Sequence, residues 1–160
     1  MYKWSKWPPE FTLSAEPSFP VDFPNLHPHL CEDDLSSATG SSNCIAWAAA
    51  ESTARWDPDP WFQDYWPDGV PRVNTIAAVI AAYRTVGFEV CNTAAPEVGM
   101  EKIAIYTLAG DPTHAARLLP NGNWTSKLGD FEDIQHVNLY CLQGPLYGIP
   151  HTYMKRPVPV

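Results

Sequence analysis

The segment "SSNCIAWAAAES", residues 41–52, places a cysteine at the start of a predicted helix. Ser41, Ser42 and Asn43 are residue types that cap helix N-termini, and the alanine-rich run that follows is typical of a buried helix. The free N–H groups and the positive dipole end of a helix favour a thiolate over a thiol. Cys44 is therefore a candidate nucleophile. The alternative is a small, inert thiol in an apolar core, which is a common place for a free cysteine.

A nucleophilic thiol needs a base, and the candidate is His114 in "DPTHAARLLPNG". A cysteine hydrolase requires an imidazole within hydrogen-bond reach of the sulfur and a third polar group that orients the imidazole. His114 begins a predicted strand, and Asn121-Gly122 predicts a hairpin after it. A two-residue turn there pairs His114 with Gly129, which places Asp130 diagonally beside His114 and Lys127 on its face.

Asp130 is accordingly the predicted orienting residue, and His136 is the alternative. A one-residue change in the length of the hairpin loop would change which side chains face His114. A histidine at this position can also simply occupy the start of a strand without any catalytic role.

The predicted elements that position these residues follow an α+β order, with helices first and antiparallel strands after them. Glu51 and Arg55 are expected to form an i,i+4 ion pair on the first helix. The prediction is a single domain over residues 1–160, in which residues 1–40 form a proline-rich extended arm wrapped on the body. The elements are helices at 42–56 and 75–86, strands at 88–91, 102–108, 113–119 and 123–128, a helical turn at 131–136, a strand at 137–142 and an edge strand at 152–157.

The charge and composition exclude several classes of function. The formal net charge is -8, so binding of a polynucleotide is not expected. The sequence has neither an apolar run long enough to span a membrane nor a signal-peptide core, and we expect a soluble, cytoplasmic protein. The four cysteines show no CxxC pairing, so neither a zinc ribbon nor a disulfide framework is predicted, and no cofactor is expected.

Two further groups of residues could bind a ligand. His27, His29 and Cys31, with His136 as a further possibility, could bind a metal, but the proline between the two histidines favours an extended chain and the spacing matches no common metal motif. Tryptophans and a tyrosine near the first helix could form a ligand wall, although such residues more often belong to the core. They are Trp47, Trp56, Trp61, Tyr65 and Trp66. Cys91 and Cys141 are expected to be buried.

A cysteine at the start of a buried helix, followed by an antiparallel sheet with a histidine at the start of a strand, resembles the papain-like superfamily, particularly NlpC/P60 amidases and peptidases. The resemblance implies a papain-like fold and the cleavage or transfer of an amide bond, with Cys44 as nucleophile and His114 as base. It also implies that the backbone N–H of Cys44 contributes to an oxyanion hole. The segments "NCIAWAAAES", "GFEVC" and "THAARLLPNGNWTSKLGDFEDIQH" also resemble a family of uncharacterised bacterial proteins that has no known activity.

Two functions are therefore expected as alternatives. The first is a cysteine hydrolase or transferase that acts on a peptide, an isopeptide, a peptidoglycan stem or a glutamine side chain. The second is a non-catalytic protein-interaction module with the same fold, which would bind a partner through its aromatic loop and proline-rich arm.

Overall fold

The structure is a computed structural model that describes residues 23–26, 31–33, 42–128 and 133–159, with 31–33 described as backbone only. Most of the predicted arm at 1–40 lies outside these residues. The elements are strands β1 (Cys31–Asp33), β2 (Glu89–Cys91), β3 (Met100–Leu108), β4 (Asp111–Leu118), β5 (Trp124–Lys127), β6 (Asp133–His136) and β7 (Ile149–Pro157), helices α1 (Cys44–Ala48) and α2 (Ile76–Arg84), and a 3-10 turn at Leu139–Leu142.

The described strands form one antiparallel sheet in the order β1-β6-β5-β4-β3-β7-β2, which confirms the α+β class. Side chains alternate between its two faces, and both faces are covered. On one, the helix face, Ile105 and Ala115 pack with α1 and α2. On the other, the back face, Tyr106 and Ala116 pack with the 3-10 turn and with Tyr147.

Helix α1 is much shorter than the predicted helix at 42–56. It ends at Ala48, and Ala50 then adopts a positive φ of 62°, which turns the chain away from the helix axis. The predicted ion pair between Glu51 and Arg55 is wrong. The carboxylate of Glu51 instead accepts hydrogen bonds from the backbone N–H and hydroxyl of Thr53, both at 2.6 Å.

Helix α2 confirms the helix predicted at 75–86, within two residues at its C-terminal end. Thr75 is the N-cap, and its hydroxyl oxygen accepts a hydrogen bond from the N–H of Ala78 at 3.2 Å. Gly87 follows the helix with φ of 96°, a conformation that an L-residue adopts only with strain. The cap and the stop signal are local, which is why the sequence predicts this helix well.

The predicted β4–β5 hairpin forms, but its register differs from the prediction by one residue. Leu119 N–H donates to the carbonyl of Asn123, so residues 120–122 form a three-residue loop in which Gly122 has φ of 90°. Arg117 therefore pairs with Thr125 rather than with Ser126. Because a shift of one residue reverses the faces of a strand, Ser126 rather than Lys127 shares the face of His114.

Two later predictions are wrong, and a third is right about the strand but wrong about its place in the sheet. The predicted helical turn at 131–136 contains strand β6, and the predicted strand at 137–142 contains the 3-10 turn, which Asn138 caps. The predicted edge strand at 152–157 is β7, which pairs with β3 on one side and β2 on the other and is therefore internal. These short segments carry weak local signals, and pairing with distant strands determines their conformation.

Candidate functional site

Cys44 is the first residue of α1 and is buried, with 1% of its surface exposed. Asn43 before it is the N-cap: its side-chain oxygen accepts hydrogen bonds from the N–H groups of Ala46 and Trp56, each at 3.2 Å. Its side-chain nitrogen donates to the carbonyl of Trp56 at 2.8 Å. The polar residue before the cysteine thus joins the start of α1 to the segment that returns after it, which is a structural role.

Burial raises the pKa of the Cys44 thiol to about 12. Backbone hydrogen bonds with Ala115 and Ile45 and the charge of Arg55 favour the thiolate, but they offset only part of the cost of burying a charge. The sulfur is therefore protonated at neutral pH, and a thiol in this state is a poor nucleophile.

His114 lies in β4 and is completely buried. Its ring stacks on that of Tyr147, with 4.1 Å between the ring centroids, and its centroid lies 5.4 Å from that of Tyr106. Neither ring nitrogen has a hydrogen-bond partner among the residues that the structure describes. Burial, together with the charge of His136, lowers the pKa of His114 well below its ordinary value, so the imidazole is neutral.

The structure does not bring Cys44 and His114 together. Cys44 makes a backbone hydrogen bond with Ala115 and belongs to the core of the helix face. His114, one residue earlier on β4, packs on Tyr106 and Tyr147, which belong to the core of the back face. The predicted hydrogen-bonded pair is not formed. Asp130, the predicted orienting residue, lies outside the described residues.

His136 forms a different buried pair, which the sequence did not predict. Its Nδ1 lies 2.8 Å from the carbonyl oxygen of Asn138 and its Nε2 lies 2.8 Å from the hydroxyl oxygen of Ser126. Because a carbonyl oxygen only accepts, Nδ1 carries the proton and the hydroxyl of Ser126 donates to Nε2. Burial lowers the pKa of His136 to about 4. The pairing of β5 with β6 brings the two side chains together: Trp124 lies opposite His136 and Ser126 opposite Ile134, so Ser126 is diagonally opposite His136 on the same face of the sheet.

The other candidate ligands are placed only in part. His27 and His29 lie outside the described residues, and Cys31 is directly opposite His136 in the β1–β6 ladder. Among the described residues, no group of three or more histidine, cysteine or acidic side chains could hold a metal ion. Cys141 is buried as expected, whereas Cys91 is partly exposed. None of the helices in the described part of the chain has the length and apolar character needed to cross a membrane.

The aromatic residues near α1 divide into two groups rather than forming one wall. Trp56 and Trp66 are buried in the core of the helix face. Trp61, Phe62 and Tyr65 project into solvent, with 77%, 75% and 50% of their surfaces exposed. We refer to residues 57–72, which carry these three exposed rings, as the aromatic loop.

Asp59 organises the aromatic loop from within. Its carboxylate accepts hydrogen bonds from the N–H groups of Trp61 at 2.9 Å, Gln63 at 3.1 Å and Asp64 at 3.0 Å. Burial opposes the charged form of Asp59, but these N–H groups and the guanidinium of Arg72 together outweigh burial and lower the pKa below its ordinary value. The carboxylate therefore stays ionised and bonded at neutral pH.

Arg72 closes the aromatic loop. Its guanidinium donates to the backbone carbonyls of Asp59 at 2.9 Å and Asp64 at 3.2 Å, and it lies 4.2 Å from the ring centroid of Phe62. Phe62 has φ of 57°, which is uncommon for a bulky residue. The surrounding bonds thus keep an exposed aromatic residue in a strained backbone conformation.

Comparison with known proteins gives a family but no activity. No curated protein matches the chain, and no solved structure matches it. A family model described as a domain of unknown function (DUF7689) matches residues 34–155. Since this match spans most of the sequence, the chain belongs to that family.

Proposed function

We propose that this domain is a non-catalytic protein-interaction module and that the aromatic loop is its contact surface. The observation that carries the proposal is the exposure of Trp61 and Phe62 on a loop that Asp59 and Arg72 hold in one conformation. A rigid aromatic contact loses little conformational entropy on binding, so more of its contact energy appears as affinity. Tryptophan and tyrosine are also enriched among the residues that dominate interface energetics.

The exposed area is large enough for the centre of an interface. A large aromatic side chain contributes about 150–250 Å² when it is buried. Trp61, Phe62 and Tyr65, at the exposures given above, therefore offer roughly 400 Å², about half of the approximately 800 Å² per partner in a typical stable complex. The remaining area would come from the polar residues around the loop.

The charges around the loop favour a partner with basic side chains. The protein carries a net charge of -8, and Asp68 in the loop is exposed. The nearby cations are already used, since Arg72 bonds to Asp59 and Arg55 forms an ion pair with Asp64 at 3.6 Å. Lysine or arginine side chains of the partner would therefore bind the aromatic faces and the exposed carboxylate of Asp68.

The alternative is the cysteine hydrolase or transferase expected from the sequence. It would require the sulfur of Cys44 to ionise and His114 to reach it from the other face of the sheet. Neither requirement agrees with a raised thiol pKa and an imidazole stacked on Tyr147. We therefore favour the interaction module.

The test compares the wild type with two variants of the aromatic loop, Trp61→Ala and Phe62→Ala. Proteins that bind the wild type are identified by affinity capture, and each purified candidate is titrated against all variants. Tyr140→Ala is the matched control, because Tyr140 is an exposed aromatic residue (58%) outside the aromatic loop.

We expect each loop variant to reduce the binding free energy of the true partner by about 2 kcal/mol, which is roughly a 30-fold loss of affinity. Tyr140→Ala should leave the affinity unchanged. Binding should also weaken as salt is added if the partner is basic. Equal affinity for wild type and both loop variants would exclude the aromatic loop as the contact surface. Turnover of an amide substrate that requires Cys44 would favour the hydrolase instead.

A further inference from the structure

Cys91 and the ammonium group of Lys102 meet on one face of the sheet. Cys91 ends strand β2 and lies opposite Tyr153 of β7, whereas Lys102 of β3 lies opposite Lys155 of β7. Tyr153 and Lys155 are two residues apart in one strand and therefore point to the same face. Cys91 and Lys102 share that face because each lies directly opposite one of these residues. The side chain of Lys102 reaches across β7, and its Nζ lies 3.7 Å from the Sγ of Cys91.

Lys102 is held at the sulfur by two other contacts. Its side chain is 0% exposed, which is rare for a lysine because burial of an ammonium costs free energy unless the charge is paired. Its Nζ lies 3.1 Å from the carbonyl oxygen of Thr93 and 3.2 Å from a carboxylate oxygen of Glu97. An ammonium has three protons, so the sulfur of Cys91 is the acceptor for the third.

The carboxylate of Glu97 serves two ammonium groups at once. The Nζ of Lys155 lies 2.9 Å and 3.0 Å from its two oxygens, and Lys102 contacts the same carboxylate. These three side chains together carry one excess positive charge beside Cys91. A reaction that makes the nitrogen of Lys102 neutral would remove this excess and with it the cost of burying a cation.

The sulfur of Cys91 is open to small reagents from solvent. Of the three cysteines whose side chains the structure describes, Cys91 is partly exposed and the other two are buried. Exposure increases the susceptibility of a cysteine to oxidation, and the first product is a sulfenic acid. A sulfenic acid condenses with a neighbouring nitrogen or thiol. The nitrogen of Lys102 is already in contact with the sulfur and is the group placed to react.

We propose that hydrogen peroxide converts Cys91 and Lys102 into a covalent cross-link, a sulfenamide in which Sγ is bonded directly to Nζ. The bond ties β2, which lies at the end of the described sheet, to β3 across the intervening strand β7. This modification site is separate from the aromatic loop, and it does not depend on the function proposed above.

The reaction has two steps. In the first, the sulfur of Cys91 attacks one oxygen of hydrogen peroxide, the O–O bond breaks, and the released hydroxide takes up the thiol proton to become water. Cys91 is oxidised by two electrons to the sulfenic acid, and the peroxide is reduced. Lys102 then passes one ammonium proton to the exposed carboxylate of Glu97, which releases it to solvent.

In the second step the neutral amine of Lys102 attacks the sulfur of Cys91. The S–N bond forms, the S–O bond breaks, and the departing hydroxide takes a proton from the nitrogen and leaves as water. Overall, one thiol, one ammonium and one hydrogen peroxide give one sulfenamide, two water molecules and one proton. No further oxidant is required.

The experiment treats the whole protein with hydrogen peroxide, removes the excess with catalase and measures the product by mass spectrometry. The cross-link removes two hydrogen atoms, a loss of about 2 Da, and it blocks cleavage by trypsin after Lys102. The tryptic peptide 85–102, which contains both residues, should therefore be replaced by peptide 85–117. Dithiothreitol should reverse both changes, because a thiol reduces the S–N bond.

Two lysine variants test the assignment. Lys102→Met keeps a side chain of similar length and removes the amine. The matched control is Lys155→Met, which removes the other lysine that binds Glu97 and leaves Lys102 in place. We expect the wild type and Lys155→Met to lose about 2 Da, whereas Lys102→Met should not. In Lys102→Met the oxidation of Cys91 should stop at the sulfenic acid, which dimedone labels.

Four results would overturn the proposal. Complete trypsin cleavage after Lys102 in the oxidised wild type would do so without relying on any variant. A gain of about 14 Da with blocked cleavage would place an oxygen atom between sulfur and nitrogen and exclude the direct bond. A loss of about 2 Da that persists in Lys102→Met would assign the product to a disulfide. Loss of the cross-link in a folded Lys155→Met protein would assign the nitrogen to Lys155.

Discussion

The imidazole of His114 lies flat against the ring of Tyr147, with 4.1 Å between the ring centroids and 8° between the planes. The stack uses the faces of the imidazole, and neither of its nitrogens makes a hydrogen bond within the described part of the chain. A neutral imidazole carries one donor and one acceptor, and each costs about 1–3 kcal/mol when it is buried without a partner. His114 therefore stabilises the fold through the packing of its ring, and the burial of its two polar nitrogens offsets part of that stabilisation.

This arrangement predicts that two buried histidines differ in their sensitivity to the same substitution. His114→Phe keeps a ring against Tyr147 and removes two unpaired polar groups, so the free energy of unfolding should change by no more than about 1 kcal/mol. His136→Phe leaves the hydroxyl of Ser126 and the carbonyl of Asn138 without their partner and should cost about 2–4 kcal/mol. Urea unfolding measures both values. The reverse order of the two losses would contradict the assigned bonding.

Alkylation by iodoacetamide should distinguish the cysteines. Of the three cysteines whose side chains the structure describes, Cys91 is partly exposed and should react first in the native protein, whereas Cys44 and Cys141 are buried and should react only when the protein unfolds. The high pKa of Cys44 reinforces its protection at neutral pH. Peptide mass spectrometry after timed labelling gives the order. Labelling of Cys44 faster than that of a free thiol would instead support the hydrolase, and in that case His114→Ala should slow the reaction.

Stability should decrease as the pH falls below about 6.5. The unfolded chain protonates His136 near its ordinary pKa of 6.5, whereas the folded protein takes up that proton only near pH 4. The unfolded state thus binds more protons between these values, and the free energy of unfolding falls by about 3 kcal/mol from pH 6.5 to 4. His114, whose pKa is also lowered by burial, acts in the same direction.

Urea unfolding at a series of pH values checks this prediction. His136→Phe should flatten the dependence between pH 6.5 and 4, and substitution of the exposed His151 by Gln should leave it unchanged. A pH dependence that persists in full without His136 would assign it to other groups.

Asn43 should be more important for stability than an ordinary helix cap. Asn43→Ala removes the cap of α1 and both hydrogen bonds to the backbone of Trp56, so we expect a loss of about 2–4 kcal/mol. Thr75→Ala removes only the cap of α2 and should cost about 1 kcal/mol. Thermal or urea unfolding compares the two. Equal losses would show that the bonds to Trp56 contribute little.

Local signals in the sequence were sufficient to predict several helices and strands. The cap at Thr75, the apolar spacing after it and Gly87 predicted α2, and runs of β-branched and aromatic residues predicted β3. The order of helices before strands gave the α+β class. Each of these depends on residues that are close together in the chain.

The candidate site depends on contacts between residues that are far apart in the sequence. The predictions of these contacts failed or stayed untested. A cysteine after three capping residues is compatible with an exposed helix N-terminus and with a buried one, and only packing against β4 distinguishes them. The face on which His114 lies follows from its alternation with Ala115 in the assembled sheet. The neighbour of His136 follows from the register of β5 with β6, which pairs Trp124 with His136 and Ser126 with Ile134.

The sequence by itself determined which residues cap, turn and alternate, because those preferences arise from the backbone and side chain of each residue and its near neighbours. The tertiary structure decided which groups are buried, paired or exposed: the burial of Cys44, the pairing of Ser126 with His136, and the exposure of Trp61 and Phe62. The physical reason is that a change of one residue in the register of a strand moves its side chains to the opposite face of the sheet. Contacts between distant segments therefore cannot be deduced from local preferences.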